Sequence, residues 1–212
     1  MKPLKAFVLA AALSIGSASA ATMQMDLLDY TRGQDVHINA NGTAEFGFAG
    51  VMTGSIGGLG TFGVFCVDLF TFIDVPGTYD VNIKPTSAVS NGGNVGYLYN
   101  KYYYSLSTPD DFAALQIAIW DVVHDGGDGR LLGSVQEDTG NPWSAAFRAR
   151  VDQFITEGMA NTSTNASVFE NALGPLTAQT LFGLVTPEPS SYVLMSSGFI
   201  ALGLLRRRKL KL

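Results

Sequence analysis

The chain has 212 residues, of which 47% are hydrophobic and only 15% charged, a composition that excludes a disordered or collagen-like polypeptide. Seven of its 13 basic residues crowd the two ends, so residues 21–189 hold six basic residues against all 18 acidic ones, a formal charge of −12. A body that acidic repels nucleic acid and anionic lipid, and no nucleic-acid partner is expected.

Lys2 and Lys5 precede the apolar run Ala6–Ile15, and Gly16-Ser-Ala-Ser-Ala20 follows it. A charged start, a short apolar stretch and a small-residue exit make residues 1–20 a signal peptide for the Sec export machinery. Cleavage after Ala20 leaves a chain that begins at Ala21 and folds outside the cytoplasm.

Residues 21 to about 90 predict strands. Met23, Met25 and Leu27 alternate, as do Phe46 and Phe48; Thr61–Val75 is a long aromatic and β-branched run, and Gly77–Ile83 alternates again. Gly58-Leu-Gly-Thr-Phe-Gly63 fits a dinucleotide fingerprint letter for letter. That site needs a helix to open there, and Val64-Phe-Cys-Val continues as a strand instead, so no cofactor is expected. Cys66 is the only cysteine. In an exported protein it has no internal disulfide partner, and its apolar setting implies burial.

The period then becomes helical. Val95, Leu98, Tyr99, Tyr102 and Tyr103 form one stripe. A second helix has Thr108 as cap, Pro109 at its first position and Asp110 and Asp111 at the positive end of its dipole, and it runs to His124. Gln116 lies on its inward stripe with Phe112, Ile119, Trp120 and Val123, where a primary amide needs partners for two donors and an acceptor. Asp125-Gly-Gly-Asp-Gly129 reads as a glycine-rich turn that lacks the further acidic ligands of a calcium loop. His37 and His124 are too few for a histidine-based metal site, and no second cysteine exists for zinc, so no metal is expected.

Phe65-Cys66 on a strand, with Leu115-Gln116-Ile117-Ala118-Ile119-Trp120 on a following helix, resembles the thioester domains of bacterial surface adhesins. Those domains carry an aromatic-Cys motif and a Gln-x-Ala-apolar-Trp motif on comparable elements, with threonine usual where Leu115 stands. The resemblance spans roughly residues 44–160. It implies a bond between the Cys66 sulfur and the Gln116 side-chain carbonyl, formed with loss of ammonia. Phe65, Phe112, Ile119 and Trp120 are the candidate apolar walls around it. An amine or hydroxyl on a partner surface would be the target, with no turnover and no catalytic residue. Two other readings stand beside this one: an exported enzyme with Cys66 as nucleophile and His124 as base, and a matrix protein in which Cys66 and Gln116 simply pack.

A third helix is expected with Asn141 as cap, Pro142 behind it, and Trp143, Phe147, Val151, Phe154 and Ile155 inward. Asn161–Ser167 reads as a polar loop and Leu181–Val185 as a closing strand. The sum is a single α+β domain over residues 21–185, with a mainly antiparallel, sandwich- or barrel-like sheet and about three helices.

Residues 186–212 differ in kind. Pro187-Glu188-Pro189 stops any helix, Ser190–Leu205 is uncharged and long enough for a marginal transmembrane helix, and Arg206, Arg207, Arg208 and Lys209 hold the end in the cytoplasm. These three parts in this order resemble the PEP-CTERM sorting signal of exported bacterial proteins. The resemblance implies processing by an exosortase, a membrane-embedded cysteine transpeptidase. It also implies anchoring in the inner membrane beforehand, then residence at the cell surface or in an exopolysaccharide biofilm matrix. The chain is thus expected to be a non-catalytic surface or matrix protein.

Overall fold

The computed structural model describes residues 22–174 and 177–184. The expected signal peptide, the Pro187-Glu188-Pro189 motif, the apolar segment after it and the basic cluster Arg206–Lys209 lie outside those residues. Among the described residues, no helix is long and apolar enough to cross a membrane.

The strands are β1 (Met23–Ala40), β2 (Thr43–Ile56), β3 (Gly60–Cys66), β4 (Gly77–Pro85), β5 (Val135–Glu137), β6 (Ser167–Asn171) and β7 (Leu181–Gly183). The helices are α1 (Gly92–Tyr102), α2 (Pro109–His124) and α3 (Ala145–Ala160). Every strand pair is antiparallel, in the order β2-β3-β7-β6-β4-β1, and β1 also pairs with β2. The sheet therefore closes into a six-stranded barrel, which removes its free edges. β5 adds outside the ring, pairing with Ile38–Ala40 at the far end of β1.

Local chemistry explains the long first hairpin. Asn41 and Gly42 link β1 to β2 at φ 51° and 83°, the positive values that a two-residue primed turn demands and that Asn-Gly tolerates best. Met25 and Leu27 alternate inward as expected. Phe46 and Phe48 also alternate, but on the outer face, where Phe46 lies against the His37 ring and Phe48 against Tyr30. The inward phase of β2 begins only at Ala49.

α2 has the expected cap: Thr108 Oγ1 accepts the Asp111 N–H at 3.2 Å. Its residues from Phe112 to Val122 are all buried. A helix enclosed on every side is a core element, and here it packs against β1, β2 and β3 on one side and α1 and α3 on the other. Four members of the expected α1 stripe, Val95, Leu98, Tyr99 and Tyr102, are buried. α3 starts later than the sequence suggested. Its cap is Ser144, whose Oγ accepts the Phe147 N–H. Asn141 instead donates its side-chain amide to Asp138. Trp143 is held outside the helix, its backbone N–H on Glu137 and its indole N–H on the His37 carbonyl.

Two strands had not been anticipated. β5 and β6 are three and five residues long, and β6 begins at Ser167, the last residue assigned to a polar loop. The long apolar run after Gly60 is strand only as far as Cys66; beyond it the chain leaves the sheet, and Phe70 and Phe72 are exposed.

Candidate functional site

Cys66 is the last residue of β3, at a point where one neighbouring strand departs. The β2–β3 ladder ends at Met52↔Val64, whereas the β3–β7 ladder continues through Cys66↔Leu181, and the Val67 N–H donates to Thr180. In an antiparallel ladder the main-chain groups of successive residues point to alternate sides. Val67 faces β7, so Cys66 faces the side that β2 has left.

Gln116 fills that gap. The Cys66 N–H donates to Gln116 Oε1 at 3.0 Å, and Gln116 Nε2 donates to the Cys66 carbonyl at 2.7 Å. A side chain on α2 thus stands where the next β2 peptide would have stood. Gln116 is 1% exposed and Cys66 8%. A buried amide and two strand-end groups would each cost about 1–3 kcal/mol unpaired, and here they satisfy one another.

The sulfur has a partner that the sequence did not suggest. Cys66 Sγ–H donates to Gln179 Oε1 at 2.8 Å. Gln179 precedes β7, and no spacing or motif marks it; its role follows only from the β3–β7 pairing. Burial, with a smaller contribution from the Asp68 carboxylate, pushes the Cys66 thiol well above its ordinary range. The sulfur is therefore a neutral S–H, not a standing thiolate.

Phe112, Ile119 and Trp120 surround Gln116 on α2 at positions −4, +3 and +4, the neighbours on one helix face, and all are buried. Phe65 is fully buried as well, but strand alternation turns it to the opposite face from Cys66, where its ring meets Tyr99 edge-on at 6.0 Å. His124 Nε2 accepts the Leu69 N–H at 3.3 Å and its ring abuts Phe70, so it braces the loop that follows Cys66. Burial lowers its pKa. The structure brings Cys66 and Gln116 together but shows no hydrogen bond between Cys66 and His124. The Gly58–Gly63 motif spans the β2–β3 turn and runs into strand, not helix.

A groove of about 350 Å³ lies beside the site, walled by Val36, Ile38 and Phe46 of the first hairpin and by Leu69 and Phe70 of the loop after Cys66. Gln179 also lines it. This one side chain therefore touches both the groove and the sulfur.

No protein-family model matches the chain, and no curated protein matches it. Among solved structures it is similar to the N-terminal thioester domain of fibronectin-binding protein SfbI from Streptococcus pyogenes. The two are 11% identical, with a TM-score of 0.43 over 71% of this chain and 93% of that one.

Proposed function

We propose that this chain is an exported, non-catalytic surface or matrix protein whose Cys66 and Gln116 condense to an internal thioester. The observation that supports this is the pairing of the Gln116 amide with the Cys66 main chain in a buried pocket. Cys66's own N–H, 3.0 Å from Oε1, polarises the carbonyl and stands ready for the charge that develops on that oxygen. The sulfur adds to the side-chain carbonyl carbon, the C–N bond breaks, and ammonia leaves carrying the thiol proton. An amine or hydroxyl of a partner then adds to the same carbon. The Cys66 thiolate departs and takes up a proton, and an amide or ester to the partner remains. A thiol leaves readily because it is far more acidic than an amine or alcohol. Each molecule reacts once, so the product is lasting attachment. The sorting tail complements this reading: exosortase processing near Pro187-Glu188-Pro189 would release the domain from the inner membrane to the cell surface or matrix, where exopolysaccharide offers hydroxyls.

One observation favours a second reading, in which Cys66 and Gln116 only close the end of a ladder: the amide and the thiol already have hydrogen-bond partners. Intact mass of the exported, processed protein separates the two. The thioester form weighs one ammonia less than its sequence, Cys66→Ala restores the sequence mass, and methylamine opens the bond with a matching gain. A wild type of full mass whose single thiol titrates on denaturation overturns the thioester.

A further inference from the structure

The end of α2 carries a second polar feature, remote from the role given to Gln116. Asp121, Asp125 and Asp128 each present a carboxylate oxygen, and these oxygens all lie within 4.8 Å of one another. Asp121 and Asp125 are one turn apart on the helix. Gly126, Gly127 and Gly129, at φ +71°, +77° and +102°, fold the chain back so that Asp128 returns to them.

Asp121 is the unusual member. It has no solvent exposure, and neither of its carboxylate oxygens has a hydrogen bond of ordinary geometry, the Gly129 N–H only leaning toward it. A buried carboxylate without partners is among the costliest groups a fold can hold. Its neighbours make matters worse. Asp125 and Asp128 add like charge, Asp152 on α3 adds more, and the helix terminus contributes the negative end of its dipole. Arg130, two residues beyond Asp128, is engaged by Glu137 and Asp152.

We propose that Asp121, Asp125 and Asp128 form a binding site for Ca2+. The donors are oxygen only, which suits a hard cation. Oxygens that all lie within 4.8 Å of one another are close enough for one Ca2+ to join, since its ligands stand about 2.3–2.6 Å from the ion and so at most about 5 Å apart. Asp125 is already oriented: the Ser134 N–H and hydroxyl hold its Oδ1, and the Val135 N–H holds Oδ2. Such outer bonds are usual behind a ligating carboxylate. Burial grades outward from Asp121 through Asp125 to the exposed Asp128, so the ion enters from the Asp128 side and keeps water on that face. The ligand missing from Asp125-Gly-Gly-Asp-Gly129 in the sequence is Asp121, one helical turn upstream.

The test is calcium titration of the processed protein, stripped with EDTA, at pH 8, by calorimetry and thermal melting. The expected result is saturable binding of one Ca2+ per chain with a rise in Tm, and weaker binding of Mg2+. Asp128→Asn is exposed and leaves the fold alone; it should weaken Ca2+ binding about tenfold or more. Absence of saturable heat and of any Tm shift at millimolar Ca2+ overturns the site. So does an Asp128→Asn variant that responds like wild type. A third arm distinguishes a merely protonated buried acid: in that case Asp121→Asn is at least as stable as wild type, and wild type ignores calcium. The outcome is independent of whether the thioester forms.

Discussion

Replacing Gln116 by glutamate keeps the side chain's shape and its acceptor while removing its amide donor. In the present arrangement Oε1 accepts the Cys66 N–H and Nε2 donates to the Cys66 carbonyl at 2.7 Å. When protonated, the introduced carboxyl keeps both contacts, because a carboxylic acid donates through its hydroxyl. Ionised, it turns a bare oxygen on that carbonyl in a site 1% exposed. Its folded-state pKa is therefore raised, and buried glutamates reach about 8–9. A raised pKa means that stability is full below the unfolded value of about 4.3 and is lost as pH climbs toward the folded value. At about 1.4 kcal/mol per pH unit, the loss between about pH 4.3 and 7 is about 3–4 kcal/mol. Urea unfolding at about pH 4.5 and about pH 7, with Cys66→Ala as the parent so that no cross-link can form, measures the difference directly. A penalty equal at both pH values would refute the pairing, since it would mean that the Gln116 amide does not face a buried carbonyl.

Glu157 gives a second pH dependence of opposite sign: hydrogen bonds from Lys101, Tyr102 and Gln153 hold it at about 2, below its ordinary 4.5. Its contribution is present above pH 4.5 and lost as pH falls toward 2, and Glu157→Gln should remove about 1 kcal/mol of that acid slope in denaturant titrations, the figure being reduced for its partial exposure. Gln179→Ala should leave the fold intact and speed the reaction of the uncondensed Cys66 thiol with a disulfide reagent by about tenfold, the reduction in protection that a lost hydrogen bond of about 1.4 kcal/mol implies; an unchanged rate would show that Gln179 does not cover the sulfur. Ser144→Ala should cost about 1 kcal/mol in thermal unfolding through the lost α3 cap, and Asn141→Ala much less, reversing the order that the sequence suggests.

What could be read from the sequence was whatever is written locally. Thr108, Pro109, Asp110 and Asp111 announce α2 within four residues, and its inward stripe exposes Gln116 as an amide in the wrong place. The first hairpin is written in Asn41-Gly42, a turn signal stronger than the strand alternation around it, but the reading by alternation passed over that pair. The start of α3 was placed three residues early, at Asn141, because the contacts with Glu137 and His37 that pin Trp143 outside the helix lie in other elements. β5 and β6 are too short to carry a clear period, and β5's partner β1 and β6's partner β4 lie far away in sequence. Gln179 was invisible for the same reason: it is a polar residue in a loop until β7 docks beside β3. Asp121 drew no notice in the sequence, because its burial and the return of Asp128 through the glycine-rich turn after α2 are tertiary facts.

The position of β7 in the ring has a consequence for the order in which the molecule assembles. Leu181–Gly183 pairs with β3 on one side and with β6 on the other, so three residues near the end of the described chain complete a barrel begun at Met23. During synthesis the chain emerges from its N-terminus, and the first hairpin and the helices have all their residues available while the wall between β3 and β6 is still open. Closure waits for Leu181 and Phe182, both fully buried. The same few residues deliver Gln179 to the sulfur and Thr180 to the Val67 N–H. Until they arrive, Cys66 stands at an open seam; once they dock, the seam and the covering of the thiol are finished in one kinetic event.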